Sequence, residues 1–178
     1  DIMQNAWQGK PVTLDEDEEN AVLVHPLPFQ KPWPPIWVAA FGPKALAQAG
    51  KLGLPYLCSP MESMEKLKEN FDVHHSEIEL AGLKVNETVP LMRSVFVSKD
   101  QKLVNRIKLE VEAKTENARI KEGDTIDDWL IIGEPKQVSD KLDQYIDQLG
   151  MNYLIASRIR VSSIDSKELE QSMALLAE

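Results

Sequence analysis

The stretch that most constrains this chain is Pro34-Pro35-Ile36-Trp37-Val38-Ala39-Ala40-Phe41-Gly42-Pro43-Lys44-Ala45-Leu46-Ala47-Gln48-Ala49. It reads as strand, sharp turn, helix. The two prolines block pairing before Ile36, because proline has no N–H for a sheet ladder. Ile36 to Ala40 is apolar without alternation, the pattern of a strand buried on both faces in a parallel sheet. Gly42 permits a tight turn and a close approach to the backbone. Pro43 suits the first helical turn, where its missing N–H costs nothing. Ala45, Leu46 and Ala49 form an apolar helix face, and Gly50 and Gly53 are expected to close the helix. Such a turn aims free N–H groups and the positive end of the helix dipole at one point, which suits an anion. A plain βα unit that binds nothing is the alternative, since the P-loop and dinucleotide glycine fingerprints are absent.

The unit recurs down the chain. Asp1 to Gly9 reads as the tail of a helix, and Asp15 to Glu19 as a solvated acidic loop. Val22 to Pro28 is extended, held out of helix by the prolines that follow. His25 lies in this arm, where a hydrogen bond to backbone is expected of it ahead of catalysis. Leu54 to Ser59 is a short apolar strand before a helix from Met61 to Leu80, with Met64, Leu67, Phe71 and Ile78 on one face. His74 and His75 are adjacent and point apart, so they do not chelate one metal. Val89 to Ser98 is a strand interrupted by Arg93, which must be paired or face a polar cavity. Lys99 to Ala118 is a charged helix with Leu103, Ile107 and Val111 as its stripe. Glu122-Gly123-Asp124 is a turn, and Asp127 to Ile132 is amphipathic or short extended structure. Lys136 to Leu149 is a helix with Val138, Leu142, Tyr145, Ile146 and Leu149 apolar, closed by Gly150. Asn152 to Ser157 is the fourth strand, and Asp165 caps a last helix with Leu169, Met173 and Leu176 as its stripe. The alternation predicts an α/β fold of four parallel strands near 36–41, 54–59, 89–97 and 152–157, adjacent in order, with helices on the outer face.

Composition removes several function classes. The 178 residues suit one domain, and 43% hydrophobic content supplies a core. A formal net charge of −9 argues against nucleic acid and against an anionic membrane surface. No apolar run approaches the ~20 residues of a membrane span, and no signal-peptide pattern opens the chain. The single Cys58 excludes an internal disulfide framework and fits a reducing cytoplasm. In its apolar setting it is expected to be buried and inert. There is no Ser-His-Asp series, no Cys-x-x-Cys and no His-Glu-x-x-His, and no metal ligand set.

The order of a Trp and acidic patch, then His25-Pro26-Leu27-Pro28-Phe29-Gln30-Lys31-Pro32-Trp33-Pro34-Pro35-Ile36-Trp37-Val38-Ala39-Ala40, a small-residue turn, an Ala-rich helix and Gly53-Leu54-Pro55 resembles the bacterial luciferase-like monooxygenases. Val89-Pro90-Leu91-Met92-Arg93, Ile132-Gly133-Glu134-Pro135-Lys136-Gln137-Val138 and Leu149-Gly150-Met151-Asn152-Tyr153-Leu154-Ile155 follow in the family's order. The resemblance covers the family's C-terminal half. It implies a partial TIM-like (β/α)8 barrel of about four βα units, with residues 1–33 as an entrance loop or arm and 34–178 as the units. The start without Met, inside a helix, and the end at Glu178 inside another lead to the expectation of a fragment that is inactive alone. An independent small α/β domain is the other option.

In a barrel the site lies at the C-terminal strand ends. Those are Ala40-Phe41-Gly42, Ser59-Pro60, Ser98 and Ser157-Arg158. The resemblance implies flavin contact, phosphate included, at Ala40, Phe41, Gly42 and Lys44. The family often has Ser or Thr in this turn; here backbone N–H groups and Lys44 must serve. For Phe41, packing on the isoalloxazine ring and a place in the core both stay open. Arg158 resembles the basic residue at the active-site mouth, holding an anionic substrate or reduced flavin, with a plain surface arginine as the alternative. The implied reaction is a flavin-dependent monooxygenation or oxidoreduction, using reduced FMN, or a deazaflavin, with O2 on a small organic substrate. Electrons come from a flavin reductase or a nicotinamide. The implied full-length form is a cytoplasmic homodimer without nucleic-acid or membrane partners. The exposed edges of a half barrel predict association of the isolated chain. A non-catalytic flavin-binding or dimerising half barrel is the competing function.

Overall fold

The computed structural model describes residues 2–13, 18–85, 87–115 and 125–178. The chain divides into two compact units, residues 1–36 and 37–178. The first holds helix α1 (Ile2–Trp7), a short 3-10 turn at Glu18–Asn20, and an isolated antiparallel bridge between Val12 and Val22. The rest of its described chain is irregular, with His25 exposed. Most of the acidic run from Asp15 and the turn Glu122-Gly123-Asp124 lie outside the described residues.

The second unit runs β1 (Val38–Ala39), α2 (Pro43–Lys51), β2 (Tyr56–Leu57), α3 (Met64–Leu80), β3 (Pro90–Val97), α4 (Gln101–Thr115), β4 (Leu130–Gly133), α5 (Pro135–Leu149), β5 (Tyr153–Ser157) and α6 (Ser166–Ala177). Each ladder is parallel. β1 pairs with β2, and a three-stranded sheet has the order β4-β3-β5. The expected parallel α/β fold is present, with differences. The strands expected over 36–41 and 54–59 shorten to the two-residue β1 and β2. The stretch read as amphipathic or extended contains an additional strand, β4. The ladder is also broken between β2 and β3, so the four expected strands do not make one continuous sheet. Side chains bridge that gap, as described below. Trp37, just before β1, meets Tyr153 of β5 edge-on at 4.8 Å between ring centres, so the first and last strands approach each other.

Successive residues of a strand face opposite ways, and both faces of β3 are covered. Leu91, Val95 and Val97 join Leu46, Leu67, Phe71, Val138 and Tyr145 from α2, α3 and α5. Phe96 faces the other way, with Leu130 and Ile132 of β4 and with Leu103, Val104, Ile107 and Val111 of α4. Helices on one side alone was therefore too simple for the β3–β4 region. Covering both faces is what makes these strands continuously apolar.

Local signals set most helix ends. Ser63 caps α3 by accepting the Lys66 N–H, and Asp165 caps α6 by accepting the Glu168 N–H at 2.7 Å. Gly150 ends α5 in the left-handed region at φ 68°. Gly50 does not close α2; it is buried inside the helix, and Leu52 is the C-cap. Ile146 is 47% exposed although its spacing placed it on the apolar face. Likewise Met173 of α6 is 65% exposed, and the buried residue is Ser172. The Ser172 Oγ accepts the Val97 N–H at 2.8 Å, beyond the last β3 residue that β5 pairs with. A buried hydroxyl thus satisfies a donor at a sheet edge that would otherwise be orphaned.

Candidate functional site

The strand ends named by the sequence are built in different ways. After β1, Ala40 is buried, Phe41 is 73% exposed, and Gly42 is the N-cap of α2 with φ 80° and ψ 170°. Phe41 is therefore not a core residue. At this φ, glycine alone is free of strain. No side chain caps α2, whose first residue, Pro43, has no N–H. A Cβ built on Gly42 meets nothing within 4 Å, so the space before the helix is open. Lys44 is exposed in the first turn.

After β2, the loop Ser59 to Glu62 is tightly held. Glu62 Oε2 accepts the Ser59 N–H at 2.7 Å and the Tyr56 hydroxyl at 2.8 Å, while its Oε1 accepts Asn70 Nδ2 at 2.9 Å. Burial and this carboxylate push the Tyr56 phenol up, so it stays a donor. From β3, Arg93 reaches under the same loop. Its side chain is fully buried and donates to the Ser59 carbonyl at 3.0 Å, the Glu62 carbonyl at 2.7 Å, the Met92 carbonyl at 2.9 Å and the Tyr145 hydroxyl at 3.0 Å. Its guanidinium carbon lies 5.0 Å from the Tyr145 ring centre. The interruption in β3 is thus a clamp joining β3, α5 and the loop that follows β2. Cys58 is buried beside it, and burial raises its pKa although Arg93 opposes this. It remains a thiol, as its apolar setting predicts.

After β3, Ser98 accepts the Asp100 N–H at 3.1 Å and so shapes the start of α4. After β5, Ser157 Oγ lies 3.1 Å from Ser94 Oγ and donates to the Arg93 carbonyl at 3.1 Å. Arg158 is exposed and lines a groove of about 260 Å³ with Val95, Ala156, Ser172, Met173 and Leu176. This groove contains none of Ala40, Phe41, Gly42 or Lys44. Among the described residues no group of three His, Cys, Asp or Glu is placed to hold a metal. His74 is buried with Nε2 2.8 Å from the Leu54 carbonyl, and burial lowers its pKa.

The segment behind Arg158 was not singled out by sequence. The Glu110 carboxylate of α4 holds it, accepting the Ser162 and Ser163 N–H groups, and these bonds keep Glu110 well below the usual carboxylate range. A depressed folded-state pKa contributes stability above the unfolded-state pKa of about 4.3 and loses it as pH falls through the folded value. After correction for intrinsic rates, exchange of the Ser162 and Ser163 amides should therefore stay slow from neutral pH down to about pH 4 and speed up only below it. Glu110→Gln should speed exchange at neutral pH; unchanged exchange in that variant would show that the carboxylate does not hold the segment.

The family model for luciferase-like monooxygenases matches residues 1–107. The chain belongs to that family. No protein of curated function matches the sequence. Among solved structures, a monooxygenase from Streptomyces bottropensis superposes with a TM-score of 0.75 at 18% identity, over 98% of this chain and 56% of its own. The oxygenating constituent of 3,6-diketocamphane monooxygenase from Pseudomonas putida, a type II Baeyer–Villiger monooxygenase in complex with FMN, gives 0.71 at 17%, over 99% and 59%. Coenzyme F420-dependent tetrahydromethanopterin reductase from Methanopyrus kandleri gives 0.67 at 16%, over 99% and 59%. The luciferase-like chain thus spans less than two thirds of the length of these structures. Among its described residues no helix is long and apolar enough to cross a membrane.

Proposed function

We propose that residues 1–178 form the C-terminal portion of a luciferase-like (β/α)8 barrel, with about four βα units over 34–178 and an entrance arm over 1–33. The whole protein acts as a flavin-dependent monooxygenase or oxidoreductase, and this portion alone is inactive. Parallel pairing in each ladder formed by strands β1 to β5 and the approach of Trp37 to Tyr153 support a curved, barrel-like arrangement. A reducing cytoplasm suits the single buried thiol. A homodimer receiving electrons from a flavin reductase or a nicotinamide completes the reading.

The observation that carries the flavin assignment is the open, uncapped start of α2 at Gly42. FMN needs an anion site for its phosphate, and N–H groups at a helix start with the Lys44 ammonium beside them provide one. Ala40 anchors the turn from the core, and Phe41 leaves an aromatic face free for a flat ring. Arg158 supplies a positive charge for a reduced flavin or an anionic substrate. When bound, reduced flavin would supply the two electrons that take one oxygen atom of O2 to water while the other enters a small organic substrate; a deazaflavin is the alternative cofactor. The protein's part is to bind, orient and exclude water.

Titrating the intact protein with FMN and following flavin fluorescence tests this. Gly42→Val should weaken FMN about ten- to a hundredfold, because a branched side chain fills the approach to the N–H groups. Arg158→Ala should impair turnover more than FMN binding. Parental FMN affinity in Gly42→Val would show that the phosphate binds elsewhere.

A further inference from the structure

The connection from β5 to α6, residues 158–165, is fastened along its length. Arg106, Glu110 and Lys114 recur every four residues on α4 and so form one ridge. Arg106 Nη2 donates to the Ser163 carbonyl at 3.1 Å, and Lys114 Nζ donates to the Arg160 carbonyl at 3.3 Å. Between them Glu110 accepts the Ser162 N–H at 2.7 Å, the Ser162 hydroxyl at 2.8 Å and the Ser163 N–H at 3.0 Å. Lys114 also pairs with Glu110 at 2.9 Å. The apolar side chains of the same strap, Ile159, Val161 and Ile164, are buried with Ile107 and Val111 of α4. Polar and apolar side chains therefore hold one backbone run, and Arg158 begins it, directly after Ser157, which pairs with Ser94 of β3.

We propose that Glu110 is a positioning residue for Arg158. By fixing the strap onto α4, it holds the backbone that carries Arg158 at the end of β5, from which the guanidinium would meet the negative charge of a bound reduced flavin. A long, exposed arginine on a mobile loop loses side-chain and backbone freedom when it binds an anion. An arginine on a strap already ordered loses less, so it binds more tightly. The inference rests on the reading of Arg158 given above, and it adds that the charge is effective only while α4 holds the strap.

Anaerobic equilibrium dialysis with dithionite-reduced FMN separates the two. The intact protein is compared with Glu110→Gln, Arg158→Ala and the double variant, with thermal unfolding followed alongside. Each single change should weaken reduced FMN about fivefold, and the double variant should be no weaker than Arg158→Ala. Glu110→Asp, which keeps the charge, should recover part of the loss. An equal effect of Glu110→Gln with and without Arg158 would mean a general structural role and overturn the proposal. Weakened binding in Arg158→Ala with none in Glu110→Gln would also overturn it, leaving the reading of Arg158 intact. Parental affinity in Arg158→Ala would remove the reduced-flavin role of Arg158 and the positioning role together.

Discussion

Arg93→Ala will lower folding stability by about 3–5 kcal/mol, seen as a fall in the urea midpoint. The guanidinium is fully buried, and its partners are the Tyr145 hydroxyl and the carbonyls of Ser59, Glu62 and Met92. Alanine leaves the loop carbonyls without these donors, at about 1–3 kcal/mol for each buried group left unpaired. It also opens a cavity below the loop. Release of a buried charge offsets part of this, which is why the expected loss is not the sum of the parts. Arg93→Lys should recover little, since one ammonium does not reproduce a fork that reaches α5 and two points of the loop. A loss below about 1 kcal/mol in Arg93→Ala would show that the clamp is not what joins β3 to the loop after β2.

Gly50→Ala will also destabilise, by about 2 kcal/mol, against the usual direction of such a change. Alanine within a helix is ordinarily favoured over glycine by roughly 1 kcal/mol. Here a Cβ on Gly50 would lie 2.7 Å from the Glu77 Cβ, 2.7 Å from the His74 carbonyl oxygen and 3.3 Å from the Ile78 nitrogen. Two of these three atoms are α3 backbone, which cannot turn aside as a flexible side chain can. The helices must move apart, loosening Leu46 and Ala49 against α3. Urea unfolding measures the sign directly; a Gly50→Ala protein as stable as the parent would mean that the α2–α3 contact has room to spare.

Both residues owe their roles to contacts between distant segments. The spacing of Gly50 predicts a helix terminator, because glycine near the end of a periodic run has that meaning in most sequences. Its role as a close-approach residue depends on α3, more than twenty residues along. Arg93 was recognised as needing a partner, but Tyr145 lies 52 positions away, and the loop carbonyls carry no residue-specific signal at all. Glu110 carries no local signal within its charged helix for the same reason, since its partners Ser162 and Ser163 are 52 and 53 positions distant. Apolar spacing also misplaced Ile146 and Met173, because periodicity identifies a stripe without saying which neighbours cover it.

What acts over a few residues is legible in the chain alone: the strand-turn-helix at Gly42 and Pro43, the cap at Asp165, and the left-handed end at Gly150, together with the parallel α/β alternation. Backbone sterics and capping act within one turn, so they are legible locally. The ordered motifs were also enough to place the chain among luciferase-like monooxygenases. Long-range packing settles that β4 joins the sheet, that Ser172 faces the end of β3, that Arg93 clamps a loop and that Arg158 begins a fastened strap. Those outcomes depend on burial and hydrogen bonding between segments far apart in the chain, and such interactions exist only once the chain has folded.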